Sequence, residues 1–272
     1  MVLVAVLWMV AALSIVVMGI TRSVREEARM LSLARQGVEA SAMGDAAIHL
    51  VLQNMVLQPT PVSRLTVVET TYRGQPIAVR VVPLNGLIDI NGASVQLLAR
   101  LYAVAGGLAP EAAAQLAQAT VEARERRDAR GAMVRFEAIE DLIQVPGVDY
   151  DLYARLSGLI TADLRGQGKV NPMAAPPEVL SVLAGGNTGV AARIAADREA
   201  GRDGIDTTAL EAEFIDSAVV RRFQITARVP VAAGAWVQVL RNVDLVPRSR
   251  DGMPWRTFRT HYGFEPNHHK NS

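Results

Sequence analysis

Twenty residues without a charged side chain open this chain, from Met1 to Ile20, and nearly all are Val, Leu, Ile, Met or Ala. As an α-helix rising about 1.5 Å per residue, the run reaches roughly 30 Å, the thickness of a bilayer's hydrocarbon core. A stretch of that length is expected to span a membrane, since a helix satisfies its own backbone hydrogen bonds in lipid. A cleaved secretory signal is the other reading, but such signals have a basic start, a shorter apolar core and a small-residue cleavage site. Here the apolar run meets Arg22, Arg25 and Arg29 instead. The positive-inside rule taken alone would put that flank in the cytoplasm; a basic leader ahead of Met1 would reverse the orientation.

The helical pattern continues past the apolar run. Val24, Ala28, Leu31, Ala34, Val38, Ala42, Ala46, Val51 and Met55 recur mostly three or four apart until Pro59 and Pro61. This spacing predicts one helix of about 57 residues, roughly 85 Å long, apolar all round at first and amphipathic later. The amphipathic half needs a folded domain to pack against. A break near Gly37 or Gly44 is the alternative.

After the prolines the texture changes. Residues 65–72 (LTVVETTY) and 77–82 (IAVRVV) are β-branched and partly alternating, separated by RGQP, and residues 223–229 and 236–246 repeat the pattern around 232–234. Isolated hairpins are marginal, so the two are expected to share one sheet interrupted by an insertion. The insertion reads as helical over 110–129, 136–143, 150–162, 177–183, 190–199 and 208–214. Two polar turns inside it, IDINGAS at 88–94 and VNPMAAP at 170–176, each lead into a helix. The boundaries that follow are a membrane segment at 1–22, the rest of the long helix and half the sheet at 23–91, an inserted helical domain at 92–215, the other half of the sheet at 216–247, and a polar, frayed tail at 248–272.

Chemistry is sparse. The chain has no cysteine, a net charge of +1, and only His49, His261, His268 and His269. It carries no H-E-x-x-H, G-x-S-x-G, P-loop or G-x-G-x-x-G pattern, so no enzyme activity and no cofactor are expected. Leu142 to Val148 (LIQVPGV) resembles the hairpin of helix-hairpin-helix DNA binders, but Glu137, Glu140, Asp141, Asp149 and Asp151 flank it and would repel phosphate. Nucleic acid is therefore not an expected partner; a membrane-anchored DNA-binding module of an uptake system is the alternative function. The same carboxylates, with Asp203, Asp206, Glu211 and Glu213, are of the kind that bind calcium, without EF-hand spacing; solvated surface carboxylates are the commoner case.

Taken in order, MVLVAVLWMVAALSIV at the start, SVREEAR at 23–29, the turns IDINGAS and VNPMAAPPEVL, and PWRTFRTHY at 254–262 resemble the K-type minor pseudopilins of type II secretion (general secretion pathway). The resemblance covers nearly the whole chain. It implies an α+β fold with a long N-terminal membrane-spanning helix and a pilin-like α/β domain holding a large all-helical insertion. It also implies a single-pass protein of the bacterial inner membrane with its C-terminal domain in the periplasm. The implied role is a tip subunit that initiates or caps the pseudopilus, with I- and J-type minor pseudopilins, the major pseudopilin and the inner-membrane secretion platform as partners. Prepilin peptidase joins these where a leader exists, but the basic leader and the glycine before its cut are absent here. With Met1 at the first mature position, Trp8 falls where relatives carry tryptophan. Ala5 then stands where major pseudopilins carry a glutamate that pairs with a neighbour's ammonium inside the apolar bundle. Ala5, Trp8, Val24, Leu31, Val38 and Val51 are the expected assembly residues.

Overall fold

The computed structural model of the protein describes residues 2–127, 130–164, 166–202, 204–231, 234–245 and 252–265. Helix α1 runs unbroken over Val2–Leu57, so neither Gly37 nor Gly44 interrupts it. Gln58 closes it by donating to the Asn54 carbonyl at 3.1 Å, and the prolines beyond cannot continue the ladder. Of the first 29 residues, only Val4, Val6, Leu7, Trp8, Met9 and Glu27 have described side chains. Among the described residues no helix is long and apolar enough to cross a membrane. The backbone of the span expected over 1–22 is helical from Val2, but most of its side chains lie outside the described residues.

A five-stranded antiparallel sheet holds β1 (Thr66–Tyr72), β2 (Gln75–Pro83), β5 (Arg222–Pro230), β6 (Trp236–Asp244) and β7 (Arg256–Glu265), in that spatial order. Strands β2 and β5, neighbours in space, are joined in register from Ala78↔Arg228 to Pro83↔Phe223 across the whole intervening segment. One face of the sheet buries Ile77, Val79, Val81, Ile225, Ala227, Val229, Val237 and Val239 against Ala40, Ala47, Ile48, Val51 and Leu52 of α1. Alternation along each strand delivers those residues to one side, and the three-to-four spacing on the helix delivers its own. Helix and sheet come close at Gly44, where a Cβ would lie 2.6 Å from Val239 Cγ2.

The segment between β2 and β5 has its own core. Helices α2 (Val95–Val104), α3 (Pro110–Glu125), α4 (Tyr150–Leu156), α5 (Pro177–Leu183) and α6 (Thr188–Glu199) enclose Leu97, Leu98, Leu101, Tyr102, Ala117, Leu156, Val179, Leu180 and Ile194. Ser94, Asp149 and Asn187 cap α2, α4 and α6, each accepting from a backbone N–H three residues on.

Three expectations are corrected here. The tail expected over 248–272 contains β7, whose Thr, Phe, Tyr and Arg residues pair along β6 with a register shift between Asn242 and Val243. Trp255, 7% exposed, pins its entry against the ring of His49 at 6.1 Å. Phe258, Tyr262 and Phe264 alternate with polar residues along this strand, which lies at the sheet edge with much of its surface exposed. The insertion is not all-helical: β3 (Ile88–Asp89) and β4 (Ile160–Thr161) pair in parallel at its centre, and Val170 bridges Ile215. The helices expected at 136–143 and 208–214 are a 3-10 turn over Ile139–Gln144 and a pair of turns closed by Leu210 and Phe214 onto Thr207 and Glu211. Residues 232–233 of the second hairpin turn and Asp203 lie outside the described residues.

Candidate assembly surface

The first half of α1 extends beyond the sheet and shows apolar side chains to solvent. Trp8, Leu31 and Val38 are 73%, 66% and 72% exposed, and Val4, Val6, Leu7, Met9, Met30 and Leu33 accompany them. Isolated exposed apolar residues are ordinary, but these fall in two groups on one helix, Val4 to Met9 and Met30 to Val38, and such clusters mark a surface suited to a partner. Val51, in contrast, is 4% exposed and belongs to the helix–sheet core. Its side chain stabilises the domain and is not presented to a partner. The side chains of Ala5 and Val24 lie outside the described residues.

The buried stripe of α1 also differs from the one the apolar spacing suggests. Ala40, Gly44, Ala47, Ile48, Val51 and Leu52 are buried against the sheet, while Val38 and Ala42 remain exposed. A polar anchor fixes this rotation. Asp45 accepts from Arg241 of β6 at 2.5 Å and from the Tyr262 hydroxyl of β7 at 3.0 Å, and the Arg241 guanidinium lies over the Tyr262 ring at 4.7 Å. Nothing in the local sequence marks that trio; it exists because β6 and β7 pair at Leu240↔His261 and Arg241↔Thr260.

Where helix meets sheet edge, Ala34, Gly37, Val38 and Ser41 of α1 face Val237, Tyr262, Gly263 and Phe264 across a groove of about 430 Å³. A Cβ added at Gly37 would meet nothing within 4 Å. At this groove the exposed side of α1 around Val38 adjoins the open edge of the sheet.

The insertion is held rigidly to the sheet. The Asp163 carbonyl accepts from Arg222 of β5, its carboxylate accepts from Asn242 of β6 at 3.2 Å, and Arg259 of β7 lies 3.8 Å from it. Arg259 also donates to both oxygens of Glu140, at 2.9 and 3.2 Å. Burial alone would raise the Glu140 pKa, but the hydrogen bond and charge of Arg259 hold it below the ordinary carboxylate range.

Both polar turns read from the sequence are structural. Asp89, 2% exposed, accepts from the backbone N–H groups of Asn91, Gly166 and Gln167 at 3.0, 2.8 and 3.0 Å. Burial pushes its carboxyl above the usual range despite those donors and nearby Arg124. Asn91 links Phe136 and Ala162, and Asn171 reaches the Ser63 carbonyl at 3.2 Å while its main chain donates to Asn85. The LIQVPGV segment buries Leu142, Val145 and Val148 in the insertion core, and its glycine adopts φ +97° beside Leu116. Four of the carboxylates considered for calcium have other partners: Asp141 takes the N–H groups of Glu137 and Ala138, Asp149 caps α4, Asp206 takes Thr208, and Glu211 pairs with Arg100. Among the described residues no group of three or more His, Cys, Asp or Glu side chains is placed to hold a metal ion.

No protein-family model matches the chain, and no curated protein does. A solved structure does: a chain of the GspK-GspI-GspJ complex from the enterotoxigenic Escherichia coli type 2 secretion system, 13% identical. The match covers 87% of this chain and 99% of that chain with a TM-score of 0.53. Most of the protein therefore shares its fold with a chain of that assembly.

Proposed function

We propose that this protein is a minor pseudopilin of a type II secretion system, placed at the tip of the pseudopilus, where it initiates or caps assembly. It is a non-enzymatic, single-pass protein of the bacterial inner membrane whose domains from residue 23 onward lie in the periplasm. Its direct partners are the I- and J-type minor pseudopilins, followed by the major pseudopilin and the inner-membrane secretion platform. Prepilin peptidase processes it where a leader precedes Met1.

The observation that carries this reading is the fold shared along 87% of the chain with a chain of the GspK-GspI-GspJ complex. The exposed apolar half of α1 supports it, since Trp8, Leu31 and Val38 offer helical surface for partner helices. The tip position rests on bulk. An insertion of the size of 92–215 beside the sheet would obstruct a filament whose subunits rise by about one helix diameter, roughly 10 Å. Ala5 fits the same reading, for a terminal subunit has no neighbour above it to pair with a buried carboxylate, and an unpaired one is costly.

The test is co-purification of the full chain with tagged I- and J-type subunits from membranes, followed by counting copies per filament. One copy at one end is expected. Many copies along the filament would exclude the tip role, and failure to co-purify with either subunit would exclude the complex. Reporter fusions after Pro61 test topology: activity confined to the cytoplasm would refute the periplasmic placement.

A further inference from the structure

Strands β1 and β7 are the outer strands of the five-stranded sheet, and their edges are built differently. The β7 edge carries Arg256, Arg259, Gly263 and a register shift, features that keep an edge from pairing with another chain. The β1 edge has none of these. Its sequence, TVVETTY, pairs with β2 without a break from Thr66↔Val81 to Tyr72↔Gln75. Every residue in it but Glu69 is β-branched or aromatic, and Glu69 is its single charge. Such a segment on an open edge is a template for a further strand.

The hairpin turn decides which backbone groups are free. Arg73 and Gly74 close it at φ 51° and 80°, a two-residue turn that makes Tyr72↔Gln75 a hydrogen-bonded pair. Alternation then commits Thr70, Val68 and Thr66 to bonds with β2 and turns the N–H and C=O groups of Thr71, Glu69 and Val67 outward. Pro76, which has no N–H to give, stands opposite Thr71, where this register asks for none. Among the described residues no backbone hydrogen bond from another element reaches those outward groups. Val67 is 58% exposed, and Val68 and Tyr72 are only partly buried at the margin of the helix–sheet core.

We propose that β1 receives an extended segment of a partner polypeptide as a sixth strand. The segment bonds to the outward groups of Val67, Glu69 and Thr71, sets a basic side chain opposite Glu69 and lays apolar ones beside Val68 and Tyr72. Main-chain bonds supply the affinity and alternate side chains the selection. A second copy of this chain does not fit: full antiparallel overlap of two β1 strands puts Glu69 opposite Glu69, and like charges directly opposite destabilise a sheet. The site is independent of the apolar surface on α1.

Residue-resolved hydrogen exchange of the full chain in detergent tests this, with a blocked seven-residue peptide of alternating Val and Thr around a central Lys as the probe. Without peptide, the amides of Val67, Glu69 and Thr71 should exchange freely while those of Val68 and Thr70 are protected. The Lys peptide should slow the first set by about tenfold or more, and a copy N-methylated along its bonding edge should not. A twin with central Glu should bind about three- to tenfold more weakly, and E69K should reverse that order. E69P removes an outward N–H and no bond of the β1–β2 ladder, so it should fold and lose the peptide. Should it fail to fold, the reversed preference of E69K decides. Equal protection of all these amides in the free chain, no protection by the Lys peptide, or protection by its N-methylated copy would overturn the proposal. Self-association of the chain that E69P or E69K abolishes would put a second copy on the edge and overturn it equally.

Discussion

Two valines on one helix separate folding from assembly. Val38 and Val51 are thirteen residues apart on α1, which at 100° per residue sets them on nearly opposite faces. Val51 is 4% exposed against the sheet, and Val38 is 72% exposed. In V51D the buried valine contact is lost, roughly 1.5–3 kcal/mol. The new carboxyl must also be neutralised to remain inside, and lifting its pKa from 3.9 to 7 costs about 4 kcal/mol at 1.36 kcal/mol per unit. The sum, about 5–7 kcal/mol, rivals the whole stability of an ordinary domain. The sign with pH is fixed too: the folded-state pKa is raised, so the deficit is smallest below about pH 4 and grows as pH rises toward 7. V38D should change stability by less than about 0.5 kcal/mol. It should instead weaken association with I- and J-type subunits, by about a hundredfold if the carboxylate enters an apolar interface unpaired. Urea unfolding at pH 4 and pH 7, with co-purification of each variant, measures both. A V51D protein as stable as the parent, or a V38D protein equally destabilised, would refute the division of the helix.

Three further outcomes follow from close contacts. G44A should cost about 1–3 kcal/mol in denaturant unfolding, because its Cβ would stand 2.6 Å from Val239 Cγ2 and 3.4 Å from Val229 Cγ2 in a packed interface. D89N should destabilise by about 2–4 kcal/mol, since an amide NH₂ in place of the oxygen would face the N–H groups of Gly166 and Gln167; calorimetry at pH 7 checks it. Glu140 has a lowered folded-state pKa, so its contribution is present above the unfolded value and fades as pH falls through the folded one. E140Q should therefore flatten that part of the acid limb of a Tm–pH profile and leave the alkaline limb unchanged.

The parts of the fold most legible in the sequence are those built from local repetition. The unbroken helix is written in apolar residues three and four apart with prolines at its end, and the strands 66–72, 75–83, 222–230 and 236–244 in β-branched alternation. The face that α1 buries was not legible, because part of it is Gly44, whose contribution is the absence of a side chain. A scan for apolar residues selects Val38 and Ala42 and passes over Ala40 and Ala47. Strand β7 was hidden for a related reason: Arg259 and Tyr262 take partners on other elements, and the alternation of Phe258, Thr260, Tyr262 and Phe264 is set among polar, mostly exposed residues. On the candidate surface, the exposure of Leu31 and Val38 follows from the length of α1 beyond the sheet, whereas the inward turn of Val51 needs the position of β5 and β6.

Asp163 shows how a chain can insert so large a segment into a sheet and still fix its orientation. It follows β4 directly, and its main-chain oxygen and carboxylate together engage residues from β5, β6 and β7. One acidic residue at the end of the insertion's central ladder thus reads three strands that are consecutive in the sheet but begin only 59 residues later, at Arg222. Arg259 extends the grip to Glu140, so β7 touches the insertion at two points separated by the whole of α4. The same strand holds α1 through Tyr262 and Asp45. Two residues three apart on this edge strand, Arg259 and Tyr262, thus tie the insertion and the long helix to one element. Under the proposed role, holding the bulk of the insertion in a fixed place beside the helix is what allows partners below and excludes them above.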